Sequence, residues 1–181
     1  IWYQQVAHFA RRYRVITWDQ RGFGRSSNDA GQTGPAAAVR DLAALLDALD
    51  LQQPHLVGQS MGGWAALGHA LEHVGRVRSL VLADSIGGIY TPQVRASYEA
   101  FRPRRCDRIG SHDAVAAGLS ETDLAKAFLY EQIGDTPPPL QARMRELLRE
   151  TEQDRNAIAR LAVPTLLVVG SEDPIFPPHV I

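Results

Sequence analysis

The sequence predicts an α/β fold: a mostly parallel sheet with helices on both faces, plus a helical insertion late in the chain. Three observations carry this. Short runs rich in Val, Ile and Leu alternate with helical patterns. The runs are apolar without a polar alternation, as expected of strands covered on both faces. A long stretch with no strand pattern separates the third run from the fourth.

Taken in order, Tyr13-Arg14-Val15-Ile16-Thr17-Trp18 reads as the first strand. Thr33-Gly34-Pro35 opens a helix, because proline is tolerated in a first turn, where its missing N–H has no partner to lose. Leu42, Leu45, Leu46 and Leu49 form that helix's apolar face at the i, i+3, i+4, i+7 spacing. Pro54 to Gly58 is a second strand, Met61 to His73 a helix of small residues, Ser79 to Leu82 a third strand and Thr165 to Val169 a fourth.

Residues 86–161 break the rhythm with helical patterns alone. Leu140, Met144, Leu147 and Leu148 share one helical face. Ser120 is placed to cap a helix carrying Leu124, Ala127 and Phe128, and Pro137-Pro138-Pro139 separates two of the helices. The expected organisation is therefore a core over 1–85, a helical cap over 86–161 lying on the sheet's edge, and the core resumed over 162–181.

Composition narrows the function classes. The 181 residues are 45% hydrophobic and 22% charged, as in ordinary globular domains. Nineteen Lys and Arg against twenty Asp and Glu leave a formal charge of −1, so no field of one sign is available to hold nucleic acid or an anionic membrane. A small-molecule substrate is the expected partner, and nothing in the sequence speaks to oligomeric state. The single cysteine, Cys106, has no partner for an internal disulfide. Apolar runs such as Leu166–Val169 fall far short of the ~18 residues of a membrane span. Ile1-Trp2-Tyr3 carries neither a basic n-region nor a cleavage site, which makes the cytoplasm the default location. The opening without Met and the stop just past Pro177-Pro178-His179 read as cuts through a longer protein.

The chemistry concentrates at Gly58-Gln59-Ser60-Met61-Gly62-Gly63, a G-x-S-x-G pattern between an expected strand and helix. A nucleophile there sits on a sharp, strained turn, and the glycines two before and two after it remove Cβ atoms expected to clash. The turn presents the Ser60 hydroxyl at the carboxyl end of its strand, where open α/β sheets place ligands. It also aims the first amides of the following helix, Met61 N–H among them, at a developing oxyanion. The bland alternative is a glycine-rich turn without chemistry, or a phosphate cradle.

A serine hydroxyl needs a base, usually a histidine oriented by a carboxylate. Asp173, in the turn after the fourth strand, is the first candidate for that carboxylate. Asp84, just past the third strand, is its rival on the same edge, and Glu172 is a weaker one. As a plain turn residue Asp173 would need no function at all.

Three blocks resemble the α/β-hydrolase fold family, in its branch with a helical cap: Trp18 to Ser27, the Gly58–Gly63 turn, and Val163 to Gly170 with Asp173. The resemblance covers the chain apart from the cap. It implies a hydrolase acting on a small ester, lactone or carbon–carbon bond through an acyl-enzyme on Ser60. Asp173 would serve as the acid and Met61 N–H as an oxyanion donor. A serine at the turn sets the chain apart from the dehalogenase and epoxide-hydrolase members, which use Asp. The family's second oxyanion donor and its catalytic histidine lie in segments that this chain does not display. His179 follows Asp173, but the resemblance puts a helix start there. The expectation is an incomplete chain, and the alternative is a non-catalytic relative that binds a small ligand or a partner protein.

The remaining polar residues have milder readings. His69-Ala70-Leu71-Glu72-His73 fits an H-x-x-E-H metal pattern, yet no further ligand cluster presents itself, so packing is expected and no metal. His8 and His55 fall at a helix surface and a strand start. His112 and the run of Arg102, Arg104, Arg105 and Arg108 fall in the cap. Trp64 is expected in the core. Gly22-Phe23-Gly24 is too short for a dinucleotide fingerprint, and no cofactor is expected.

Overall fold

The computed structural model describes residues 1–29, 31–101, 115–116, 118–133 and 138–181. The elements run α1 (Tyr3–Phe9), α2 (Pro35–Ala48), β1 (His55–Gln59), α3 (Gly62–Glu72), β2 (Ser79–Ala83), α4 (Pro92–Ala100), α5 (Leu119–Thr122), α6 (Leu124–Ile133), α7 (Pro138–Glu150), α8 (Arg155–Ala159) and β3 (Thr165–Val168). The three strands pair in parallel in the order β1-β2-β3, with Val57 opposite Val81 and Val81 opposite Leu166. A parallel sheet needs a long crossover between neighbours. Here α3 makes the first crossover and the helical stretch α4 to α8 the second.

Leu56, Leu80 and Leu82 point to the face covered by α2 and α3, and pack with Leu42, Leu46, Ala66, Leu67, Ala70 and Val77. Leu80 and Leu82 are essentially inaccessible, and truncating such a leucine to alanine costs about 2–5 kcal/mol. Val57 and Leu166, on the opposite face, are exposed. A second core of Trp64, Ile86, Tyr90, Val94, Met144, Leu148 and Phe176 joins α3 to α4, α7 and the C-terminal turn. Met144 and Leu148 thus bury part of the expected face of α7, Leu147 is half-buried, and the Leu140 side chain lies outside the described residues.

Two sequence expectations are corrected. Tyr13–Trp18 forms no strand: residues 14–20 take no regular element, and Tyr13, Val15 and Ile16 are exposed. Tyr13 of this segment meets β1 through an edge-to-face contact with His55, ring centroids 6.1 Å apart, and Trp18 packs against the core that includes Leu56. β-Branched residues favour a strand only where a ladder partner takes their backbone groups, and among the described residues β1 pairs with β2 alone. Ser120 does not cap the helix that follows it, because it lies inside the short α5. Asp123 takes that role: its carboxylate accepts the Lys126 N–H at 3.0 Å and meets the Lys126 ammonium at 3.1 Å. In α6, Ala127 is buried while Leu124 and Phe128 are exposed.

The loop after residue 18 is pinned by Asp19. Its carboxylate accepts the Arg25 N–H at 3.1 Å and its carbonyl the Ser26 hydroxyl at 2.7 Å. Gly24 sits at φ +52, so close to that carboxylate that a Cβ would fall 2.4 Å from it. Arg21 then forks onto Asp41 of α2, which ties the loop to the helix layer.

Candidate functional site

Ser60 directly follows β1 at φ +49, in the left-handed region that costs a non-glycine residue about 1–3 kcal/mol. Three hydrogen bonds hold it there. Its N–H donates to the Ala83 carbonyl at 3.0 Å, and its carbonyl accepts from Gly63 N–H at 3.0 Å. The same carbonyl accepts the Ser85 hydroxyl at 2.6 Å. The side chain of Ser60 is thereby turned out of the ladder at an exposed position. Met61 caps α3 with helical dihedrals, and among the described residues its N–H meets no acceptor. An oxyanion formed on a substrate at Ser60 would find that donor unspent.

The glycines act differently from the sequence expectation. A Cβ on Gly58 would stand 2.6 Å from the Gly62 carbonyl oxygen, so Gly58 is required. A Cβ on Gly62 would meet nothing within 4 Å. The close approach belongs to Gly63, where a Cβ would fall 2.0 Å from Ser85 Oγ. α3 packs against the loop after β2 through Gly63, while Gly62 faces open space.

Because the strands are parallel, Ser60, Asp84 and the turn 170–173 all leave the same edge of the sheet. Asp84, at φ +45, donates its N–H to the Val168 carbonyl at 2.7 Å and accepts the Gly170 N–H on Oδ1 at 2.8 Å. Asp173 accepts the N–H groups of Ile175 and Phe176 on Oδ1, at 2.8 and 2.9 Å, and donates its own N–H to the Gly170 carbonyl at 3.1 Å. Two amides therefore fix the Asp173 carboxylate, and among the described residues Oδ2 accepts nothing. Glu172 is exposed. No hydrogen bond among the described residues joins Ser60 to either aspartate.

The described histidines stand apart from this edge chemistry. None makes a hydrogen bond with Ser60 or Asp173 among the described residues. His55 shares a 2.7 Å bond with the Ser79 hydroxyl. His69 is fully buried with both ring nitrogens unpartnered, stacks on His73 at 4.4 Å, and is held neutral by burial down to a pKa of about 4. His179 is exposed in the turn closed by the Val180 N–H and Pro177 carbonyl, and His8 is exposed on α1. His112, Cys106 and Arg102, Arg104, Arg105 and Arg108 lie outside the described residues. No described group of three or more His, Cys, Asp or Glu is placed to hold a metal ion, and no described helix is long and apolar enough to cross a membrane.

Ser85 and Gly63 are the site residues that motif reading passes over. Gly63 follows directly on the motif. Ser85 adjoins the rival acid, but nothing local marks its hydroxyl as a partner for Ser60.

Comparison with known proteins bears on the family and the fold. A family model described as alpha/beta hydrolase fold matches residues 1–181. The chain is 30% identical over 185 residues to a 3-oxoadipate enol-lactonase of Acinetobacter baylyi, covering 97% of the chain and 67% of that protein. It is 33% identical over 177 residues to a 2-hydroxymuconate semialdehyde hydrolase of Pseudomonas putida, covering 91% of the chain and 62% of that protein. A thermophilic esterase from Thermogutta terrifontis superposes with a TM-score of 0.78 at 27% identity, over 98% of this chain and 69% of its own. A meta-cleavage product hydrolase from Pseudomonas fluorescens, at 24% identity and a TM-score of 0.74, shares the fold over 99% of this chain and 69% of its own. The chain thus spans roughly two thirds of the length of these relatives.

Proposed function

The chain belongs to the α/β hydrolase fold family, and from that premise we propose that the whole protein hydrolyses a small ester, lactone or carbon–carbon bond through an acyl-enzyme on Ser60. The observation that carries the reading is the left-handed Ser60 at the carboxyl end of β1, beside the unspent N–H of Met61. Ser60 Oγ attacks the acyl carbon while an imidazole takes its proton. That imidazole comes from none of the described histidines. Asp173, its Oδ1 held by two amides, offers Oδ2 to orient the imidazole and stabilise its cation. The tetrahedral oxyanion accepts from Met61 N–H. Collapse expels the leaving group with the proton the imidazole carries, and water then releases the acid and frees Ser60. Relatives named for lactone and semialdehyde hydrolysis, and an esterase neighbour, favour acyl chemistry on small organic substrates.

The test is fluorophosphonate labelling of the full-length protein beside a Ser60→Ala control, with turnover of a short-chain nitrophenyl ester. Labelling and turnover that both vanish in Ser60→Ala are expected. A folded, full-length protein that neither labels nor turns over ester would favour a non-catalytic, ligand-binding relative.

A further inference from the structure

We propose that the dipeptide Asp84-Ser85, at the end of the central strand, positions both candidate catalytic residues: Ser85 through the Ser60 carbonyl, and Asp84 through the Gly170 amide. The inference rests on the acyl-enzyme reading and adds to it two positioning residues that contact no reacting atom.

The geometry is two-sided. Toward β1, Ser85 is 1% exposed and donates its hydroxyl to the Ser60 carbonyl at 2.6 Å. The same oxygen accepts the Gly87 N–H at 3.2 Å, so the hydroxyl's direction is fixed by its acceptor role. Gly63 makes room for this contact, since a Cβ there would fall 2.0 Å from Ser85 Oγ. A non-glycine residue keeps a left-handed backbone only where its surroundings over-determine it. At Ser60 the carbonyl bond from Ser85 is one of those determinants, and it comes from outside the strand and its helix. Toward β3, Asp84 accepts the Gly170 N–H, and the Gly170 carbonyl in turn accepts the Asp173 N–H at 3.1 Å. One residue, Gly170, therefore links the Asp84 carboxylate to the turn that carries Asp173. Asp84 is itself left-handed, at φ +45. This places its carboxylate across β3 while the next residue reaches back across β1. Engagement with Gly170 gives Asp84 a task other than orienting an imidazole.

The experiment uses the full-length protein with Ser85→Ala, Asp84→Ala and Asp84→Asn, reading kcat and KM for the ester and amide hydrogen exchange by NMR. Ser85→Ala is expected to lower kcat about tenfold or more with KM held within about twofold, and to speed exchange at Gly63 and Gly87. Asp84→Ala is expected to speed exchange at Gly170 and Asp173 by about tenfold and to lower kcat similarly. Asp84→Asn keeps an acceptor oxygen and tolerates φ > 0, so it is expected to restore both readouts toward wild type. If Asp84 were the orienting acid, Asp84→Asn would be as impaired as Asp84→Ala, and the proposal would be overturned. Exchange and kcat unchanged in both alanine variants would overturn it, as would faster exchange at unchanged kcat. Should the wild-type protein show no turnover, the acyl-enzyme reading fails separately. Exchange at Gly63 and Gly170 then decides whether Asp84 and Ser85 hold the two turns. If Ser85→Ala fails to fold, Ser85→Cys takes its place with the same losses expected, and the Asp84 pair decides the Gly170 half.

Discussion

The indole Nε1 of Trp64 donates to the carbonyl of Thr151 at 3.2 Å, joining α3, the helix that follows Ser60, to the residue just past α7. Two further bonds run alongside it. The Tyr90 hydroxyl donates to the Leu148 carbonyl at 2.9 Å, and Gln153 N–H donates to the Gly88 carbonyl at 2.9 Å. The end of α7 and the residues just after it are thus fixed to the segment after β2 and to α3. Trp64→Phe deletes the donor and trims the buried bicyclic ring to a single one. It should cost about 1–3 kcal/mol in urea unfolding, whereas Trp64→Ala should cost about 3–5 kcal/mol. A Trp64→Ala protein no less stable than Trp64→Phe would show that the remaining ring contributes no packing.

The two adjacent glycines give a sharper contrast. Gly62 faces open space, and alanine there should leave the thermal midpoint unchanged or raise it slightly, since alanine favours a helix by about 1 kcal/mol over glycine. Gly63→Ala drives a methyl into Ser85 Oγ. Overpacking of this kind costs about 1–3 kcal/mol, and the midpoint should fall accordingly. A scanning calorimetry trace of both variants checks the order, and a Gly62 variant that falls further than the Gly63 one would contradict it.

These contrasts mark what the sequence made legible. The strands from His55, Ser79 and Thr165 and the helix after Ser60 were readable because apolar runs and a motif lie contiguously along the chain. Tyr13–Trp18 reads as a strand and forms none, because a strand exists only with a partner, and its own residues say nothing of that. Residue type points to Ser120 as a cap, whereas in the fold Asp123, beside the helix start, carries the bond. Family membership followed from three ordered blocks. Ser85, by contrast, gains its meaning from a residue 25 positions away, across a strand pair that only the folded register brings together. The choice between Asp173 and Asp84 stayed open for the same reason: both leave one sheet edge, and what separates them is the amides each has captured.

Asp41 and Arg21 supply an acid-side prediction. The Arg21 guanidinium, by hydrogen bond first and charge second, holds the Asp41 carboxyl below its ordinary 3.8. A carboxylate depressed in the folded state adds stability above its unfolded value, and loses it as pH falls through the folded one. The contribution should be whole at neutral pH and fade below about pH 4. Asp41→Asn should lower stability at pH 7 and flatten the dependence below pH 4, seen as urea midpoints for the variant and wild type converging as pH falls. Midpoints that stay parallel would show that the pair contributes nothing dependent on ionisation.

His69 governs a separate window. It is 0% exposed and neither ring nitrogen has a partner among the described residues, so the fold accepts the neutral ring and resists its charge. Burial is the main cause of its low pKa of about 4, with the neighbouring His73 and Arg76 adding to it. In the unfolded chain the same ring takes its proton near 6.5. Between those values the unfolded state binds more protons than the folded one. Stability is therefore complete above pH 6.5 and falls as pH drops toward 4, by up to about 3 kcal/mol. His69→Leu removes both the titration and two unsatisfied nitrogens at similar volume. Its urea midpoint should exceed wild type at pH 5 and change less between pH 7 and pH 5. A wild-type midpoint that is flat across that window would show His69 reaching water or a partner, and the imidazole would no longer count as a buried, neutral core residue.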